Sequence, residues 1–236
     1  MIKIHSKSTA SKNIDSKNTA SKIRASKNTK RTFIQMFTAI YAALILSSCV
    51  SWITPSVNSE LIELQAGEYQ LDSQHAALIF KIQHLGLSTY VGRFNQFDAQ
   101  LNFDPKNMAN ASLNAVVDIT SVDINNAELA ETLQNDTWFD SERFPQASFT
   151  SHTVTVISDT TFNFTGDLTF RGVTKPATFK AMFHGGADNW MTGKYTIGFS
   201  AVGQIKRSDF GMDSYIPIVG DEIDLEVYAE FLDASK

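Results

Sequence analysis

Cysteine occurs once in this 236-residue chain, so no intrachain disulfide can staple the fold. Proline is scarce at five residues, and 12 glycines are too few for a low-complexity or collagen-like chain. Charged residues make up 19%, and no apolar run reaches the roughly 20 residues of a membrane-spanning helix. These shortages exclude a disulfide scaffold, wholesale disorder and a polytopic membrane protein. What is abundant is phenylalanine, with 17 residues, so the apolar mass is aromatic in character.

Charge is distributed unevenly. Residues 1–32 hold nine of the 20 Lys/Arg and one of the 25 Asp/Glu, a local balance of +8. The rest carries eleven basic and 24 acidic residues, a balance of −13. A body this acidic repels phosphate backbones, which argues against nucleic acid as a partner. The basic segment repeats Ser-Lys-Asn-Thr-Ala imperfectly, at Ser16–Ala20 and Ser26–Lys30, and has little to bury. Lys30 and Arg31 then abut the short apolar run Phe33–Leu46. A positive region, a brief apolar core and small residues form the layout of a signal peptide. Leu46-Ser47-Ser48-Cys49 resembles a bacterial lipobox, in which the Cys is lipidated and becomes the new N-terminus. The plainer alternative is an ordinary signal peptide with a chance Cys. On the lipobox reading residues 1–48 are a leader, residues 49–66 are a lipidated Cys and tether, and residues 67–234 are the folded body. The protein would face the periplasm on acyl chains rather than a span. Val50 after the Cys, where inner-membrane retention uses Asp, resembles outer-membrane sorting.

From Glu68 onward the dominant period is two. In Glu222–Phe231, Ile223, Leu225, Val227, Ala229 and Phe231 alternate with Glu222, Asp224, Glu226, Tyr228 and Glu230, as in a half-buried strand. The same pattern predicts strands at Tyr69–Leu71, Ala76–Leu85, Thr89–Phe103, Ser112–Ile119, Ala147–Ile157, Thr161–Phe170, Thr174–Phe183 and Lys194–Ile205. Eight or nine strands at this spacing predict an all-β antiparallel sandwich or barrel. Turn signals fall at Asp104-Pro105, Arg171-Gly172 and Gly185–Asn189, and Gly92 predicts a bulge or sharp bend. One stretch, Asn125–Asn135, reads as helix, a crossover or lid with Leu129 and Leu133 on one face. Small residues (Gly166, Ala181, Ala201, Gly203) lie among large ones on the inward faces. A barrel of about eight strands either fills itself with side chains or holds one small ligand, and the pattern leaves both open.

The chain resembles the YceI-like family of polyisoprenoid-binding, lipocalin-like periplasmic proteins. The residues that carry the likeness are Tyr69-Gln-Leu-Asp72 with His75, His84-Leu-Gly-Leu-Ser88, Val91-Gly-Arg-Phe94 and Trp138-Phe-Asp140. They continue through Thr165-Gly-Asp-Leu-Thr-Phe-Arg-Gly-Val-Thr-Lys-Pro176, Lys206-Arg-Ser-Asp-Phe-Gly-Met212 and Val219-Gly-Asp-Glu-Ile223. The resemblance implies an antiparallel eight-stranded barrel with one short helical excursion and a long apolar pocket. It implies binding of an isoprenoid or fatty-acyl amphiphile without catalysis, metal or cofactor. The alternative is a solid-core envelope protein, structural or stress-responsive, that works through its outer surface. The oligomeric state stays open, a homodimer included.

Alternation and resemblance together predict a ligand-binding lining of Leu78, Phe80, Ile82, His84, Phe164, Leu168, Phe179, Ile197, Phe199, Leu225 and Val227. A one-residue slip in any strand would invert its contribution. His75 and His84 fall on opposite faces of an unbroken strand, which argues against a shared metal. His84 shares its face with Phe80 and Ile82 and is placed to meet a ligand head group. The basic residues Arg171, Lys175, Lys206 and Arg207 have two readings. They pair with Asp209, Asp221 or Glu222 to lock the barrel ends, or they recognise an anionic head group. Ser208-Asp209 lacks the strand–turn–helix context of a hydrolase nucleophile.

Overall fold

The computed structural model describes residues 56–60 and 64–235, and Pro55–Lys236 forms one compact unit. The leader, the apolar run and Cys49 lie outside the described residues. Among the described residues there are ten strands: β1 (Gly67–His84), β2 (Ser88–Phe94), β3 (Phe97–Phe103), β4 (Ser112–Asp118), β5 (Val122–Asp123), β6 (Gln146–Ser158), β7 (Thr161–Phe170), β8 (Val173–Asn189), β9 (Lys194–Lys206) and β10 (Val219–Asp233). Among the described residues one α-helix, α1 (Ala127–Leu133), and three short 3-10 turns interrupt them. Neighbours pair antiparallel in the order β10-β9-β8-β7-β6-β4-β3-β1, and β1 pairs with β10 to close an eight-stranded barrel. Closure leaves the ring itself without an open edge. β2 and β5 extend it beside the upper half of β1.

Alternation dictates which side chains enter the barrel. On β10 Ile223, Ala229 and Phe231 are buried while Glu222 and Asp224 are exposed. The facing rows agree, since Leu78 opposes Val227, Ile82 opposes Ile223, and Ala201 opposes Val227 across β9. A short β6–β7 connection, a left-handed Arg171-Gly172 turn and a Thr192–Gly193 turn join the long strands, so consecutive elements stay neighbours.

Several sequence expectations are revised. Tyr69–Leu71 and Ala76–Leu85 belong to the single strand β1, whose pairing with β10 slips between Leu71 and Ala76. The predicted strand Thr89–Phe103 breaks at Asn95-Gln96 into β2 and β3, which pair with the two halves of β1. Gly92 is not the bend: it stays in register opposite Phe80, where a Cβ would lie 2.2 Å from the Phe80 ring. Gly185–Asn189 is not a turn but the last part of β8, with a bulge between Phe183 and Gly185, and the chain reverses beyond Asn189. The helix is shorter than Asn125–Asn135. Asn126 caps it by accepting the Leu129 amide at 3.1 Å. Part of the segment before the body packs on the barrel: Asn58 bridges Gly186, and Leu64 is buried.

Candidate ligand-binding cavity

The closed end of the barrel is plugged by rings. Phe103 packs edge-on to Tyr69 with centroids 5.9 Å apart, and Phe183 and Phe199 are 5.2 Å apart. Phe199 also meets Phe231 at 6.2 Å. Ile197 and Phe162 are fully buried there. A second run of rings leads from Phe80 through Phe94 and Phe139 to Phe170 and Phe210, in steps of 5.5–6.0 Å. Phe139, between β5 and β6, links the rings of β1 and β2 to that of β7, which lies on the opposite wall in the strand order. A cavity of about 360 Å³ remains inside, lined almost wholly by apolar atoms. That size falls in the ~300–1,000 Å³ range of small-molecule sites.

Ten of the eleven predicted lining residues face this cavity: Leu78, Phe80, Ile82, His84, Phe164, Leu168, Phe179, Phe199, Leu225 and Val227. Ile197 does not border it. It shares the inward face of β9 with Phe199 but lies two residues nearer the closed end, against Gly186 and beneath the aromatic plug. The predicted lining left out the wall from β4 (Leu113, Ala115, Val117), the helix residues Leu129 and Leu133, and Trp138, Phe139 and Arg207. Leu129 and Leu133 carried a signal, their four-residue spacing, and α1 does lay them over the interior. Arg207 was named only among the basic residues of the barrel ends, as a carboxylate partner or a head-group contact.

The small inward residues divide by role. Ala181 and Ala201 border the cavity and keep it wide. Gly203 instead makes room for a neighbour, since a Cβ there would lie 2.6 Å from the Phe179 ring. Gly166 admits the backbone of β6, with Thr150 O at 2.0 Å from the would-be Cβ, next to the β6 bulge at Ser151–Thr153.

Arg207 is the one charged side chain of the lining and is 1% exposed. It lies beside the turn after β9. Its Nε donates to Gly220 O at 2.7 Å, Nη1 to Met212 O at 2.5 Å, and Nη2 to Ser214 O at 2.9 Å and Val219 O at 3.0 Å. Its guanidinium lies over Trp138, 5.4 Å from the ring centroid. Carbonyl dipoles and a ring face therefore solvate the charge in place of a carboxylate. Burial pulls its pKa down, and Asp221 and Asp213 oppose that. Arg171 follows the same logic, donating to Gly211 O at 2.7 Å and to Asp136 O. The predicted carboxylate locks are thus replaced: these two arginines hold loops by their carbonyls. Asp221 accepts from Ser208 instead, at the backbone N and Oγ, both 2.9 Å. Burial pushes the Asp221 carboxyl up, but those bonds and Arg207 outweigh it and hold it below the usual value.

The histidines are separated as alternation predicted. His84 lies in the cavity wall, while His75 is on the outside, its Nδ1 2.9 Å from Asp72 Oδ2. The ligand atoms of Asp72, His75 and Glu230 lie within 4.8 Å of one another. His152 and Asp167 meet across β6 and β7 at 2.8 Å, a pair invisible in sequence, and both are exposed.

A closed antiparallel barrel around a hollow apolar interior is a lipocalin-like architecture. The chain belongs to the YceI-like family, whose domain profile matches residues 69–231. It is 40% identical to the protein YceI of Escherichia coli O157:H7 over 167 residues, covering 70% of this chain and 86% of that protein. Its fold is similar to that of BcnA from Burkholderia cenocepacia, with a TM-score of 0.62 and 25% identity over 68% of this chain and 98% of the other. It is also similar in fold to a polyisoprenoid binding domain from Saccharophagus degradans implicated in plant cell wall breakdown. There the TM-score is 0.52, with 12% identity over 72% of this chain and 99% of the other.

Proposed function

We propose that the barrel binds the chain of an isoprenoid or fatty-acyl amphiphile and carries it without chemical change. The observation that carries this reading is the apolar interior of about 360 Å³, whose lining holds no Asp, Glu or Lys and, besides His84, only Arg207 as a basic side chain. Each methylene removed from water contributes about 0.8 kcal/mol, so ten contribute on the order of 8 kcal/mol before the immobilisation cost is subtracted. Family membership and the described ligand class of the Saccharophagus degradans domain agree with it. A hollow interior also removes the premise of the alternative, a solid-core protein acting only through its surface. We further propose that Cys49 is lipidated and holds the protein to the periplasmic face of the outer membrane, the reading that the leader and lipobox support.

The test is to purify the full chain, extract it with organic solvent and identify lipids by mass spectrometry. The expected result is about one long-chain amphiphile per protein, and its N-terminal peptide carrying acyl groups on Cys49. An extract without stoichiometric lipid would falsify the carrier reading. An unmodified Cys49 would end the anchor reading alone.

A further inference from the structure

Of the residues lining the cavity, His84 alone is exposed, so the cavity reaches the surface there, between the β1–β2 turn and the loop before β10. Both tips around that point are greasy. Leu85 is 54% exposed, Leu87 85%, Tyr215 63% and Ile218 54%, with Ile216 beside them. The Leu85 amide donates to Ile218 O at 2.8 Å and the Val219 amide to Tyr215 O at 2.9 Å, so the two tips form one tethered rim. The Tyr215 ring stacks on Trp138, a cavity-wall residue, with centroids 6.1 Å apart. Neither Leu85–Gly92 nor Ser214–Gly220 contains an Asp, Glu, Lys or Arg, in a body whose balance is −13.

We propose that this rim docks onto the surface of a lipid bilayer, with Leu85, Leu87, Tyr215, Ile216 and Ile218 entering the interface around the cavity mouth. The inference rests on the reading that the cavity takes an amphiphile. A chain crossing open water re-exposes every methylene that cavity and bilayer would cover, so the transfer barrier grows with chain length. An apolar rim pressed into the bilayer makes the route from acyl region to cavity continuous. Tyrosine suits such a position, with an apolar body and a polar tip. The opposite end of the barrel differs. Trp190, Met191, Val156 and Ile157 are exposed there, but among Asp159, Asp188 and Lys194, and they front the aromatic plug. The chain also enters the barrel at that end, where Asn58 bridges Gly186, so a contact made through the N-terminal segment is distinguishable from one made by the rim.

The experiment uses the full chain with Cys49→Ser and one new cysteine, Leu87→Cys at the rim or Met191→Cys at the closed end. Each carries an environment-sensitive nitrobenzoxadiazole label and is mixed with phosphatidylcholine vesicles. The expected result is a blue shift with about twofold brighter emission at position 87 and no change at 191. Adding Leu85→Ser and Ile218→Ser should abolish the response at 87. Silence at 87, equal responses at both positions, or a response that survives the two serines overturns docking. Lipid extraction from the same preparations separates the two readings: bound lipid with a silent rim sinks docking alone, and an empty barrel sinks the carrier reading.

Discussion

Arg207 sits inside an apolar wall with no ion-pair partner within salt-bridge distance among the described residues, yet it directs four hydrogen bonds into one loop. That pattern makes it a fastener for the loop carrying Met212–Gly220, and its removal strands the carbonyls it serves. Arg207→Met should lower stability by about 3 kcal/mol, read as a shift in the urea midpoint, with faster amide exchange confined first to residues 212–220. Arg207→Lys should recover little, because one ammonium cannot reach four acceptors in a planar fork. At Gly92 the restraint is steric. Gly92→Ala pushes a Cβ into the Phe80 ring and should cost about 2 kcal/mol, measured by thermal unfolding. His75 and Asp72 give a titration prediction. The hydrogen bond and charge of Asp72 raise the His75 pKa above its ordinary 6.5. Burial pushes the Asp72 carboxyl up, but bonds from His75 and the Gln74 amide outweigh it and hold it below 3.8. The histidine's contribution to stability is therefore complete below pH 6.5 and lost as pH rises through its raised value. The aspartate's is complete above pH 3.8 and lost as pH falls through its lowered value. In NMR titration His75 should show the raised midpoint, and Asp72→Asn should return it toward 6.5.

At the scale of elements, long strands set the outline of the cavity and glycine and alanine set its width. Ala201 on β9 and Ala181 on β8 border the interior, so a larger side chain there takes ligand space without breaking a hydrogen-bonded ladder. Ala201→Leu adds three carbons to a hollow region. It should leave the melting temperature unchanged or higher while weakening amphiphile binding by about 2 kcal/mol, roughly thirtyfold. Quantifying co-purified lipid beside a thermal scan checks both halves. Gly203→Leu should behave oppositely, losing stability, because that space already holds the Phe179 ring. Helix α1 has an apolar pair, Leu129 and Leu133, on the cavity and its acidic residues Glu128 and Glu131 outward. It is short, with one side-chain cap, and is held by that contact more than by its own propensity.

For the molecule as a whole, closure of the ring converts a set of amphipathic strands into a container. Fifteen residues of β10 and eighteen of β1 run side by side, and their pairing is what seals it. Alternation along each strand revealed in advance which residues turn inward, and ten of the eleven named for the lining reach the cavity. Period two is a local property of the backbone, so it survives any global arrangement. The long segment around Asn95-Gln96 was opaque for the opposite reason: its break matters only because β1 is long enough to pair with both pieces. Ile197 shows the same limit. Its face was legible, but its height along the barrel, below the ring plug, depends on how far each strand is staggered against the next.

Sequence alone therefore determined the strand-rich class, the inward and outward faces, the basic N-terminal segment, the lone cysteine, and the likeness to a family, because each is written in neighbouring residues. Tertiary structure decided that the interior is hollow, that Arg207 is clothed by carbonyls, and that the uncharged tips Leu85–Leu87 and Tyr215–Ile218 ring the mouth. Those outcomes depend on distances between residues far apart in the chain, and only closure of the barrel fixes such distances.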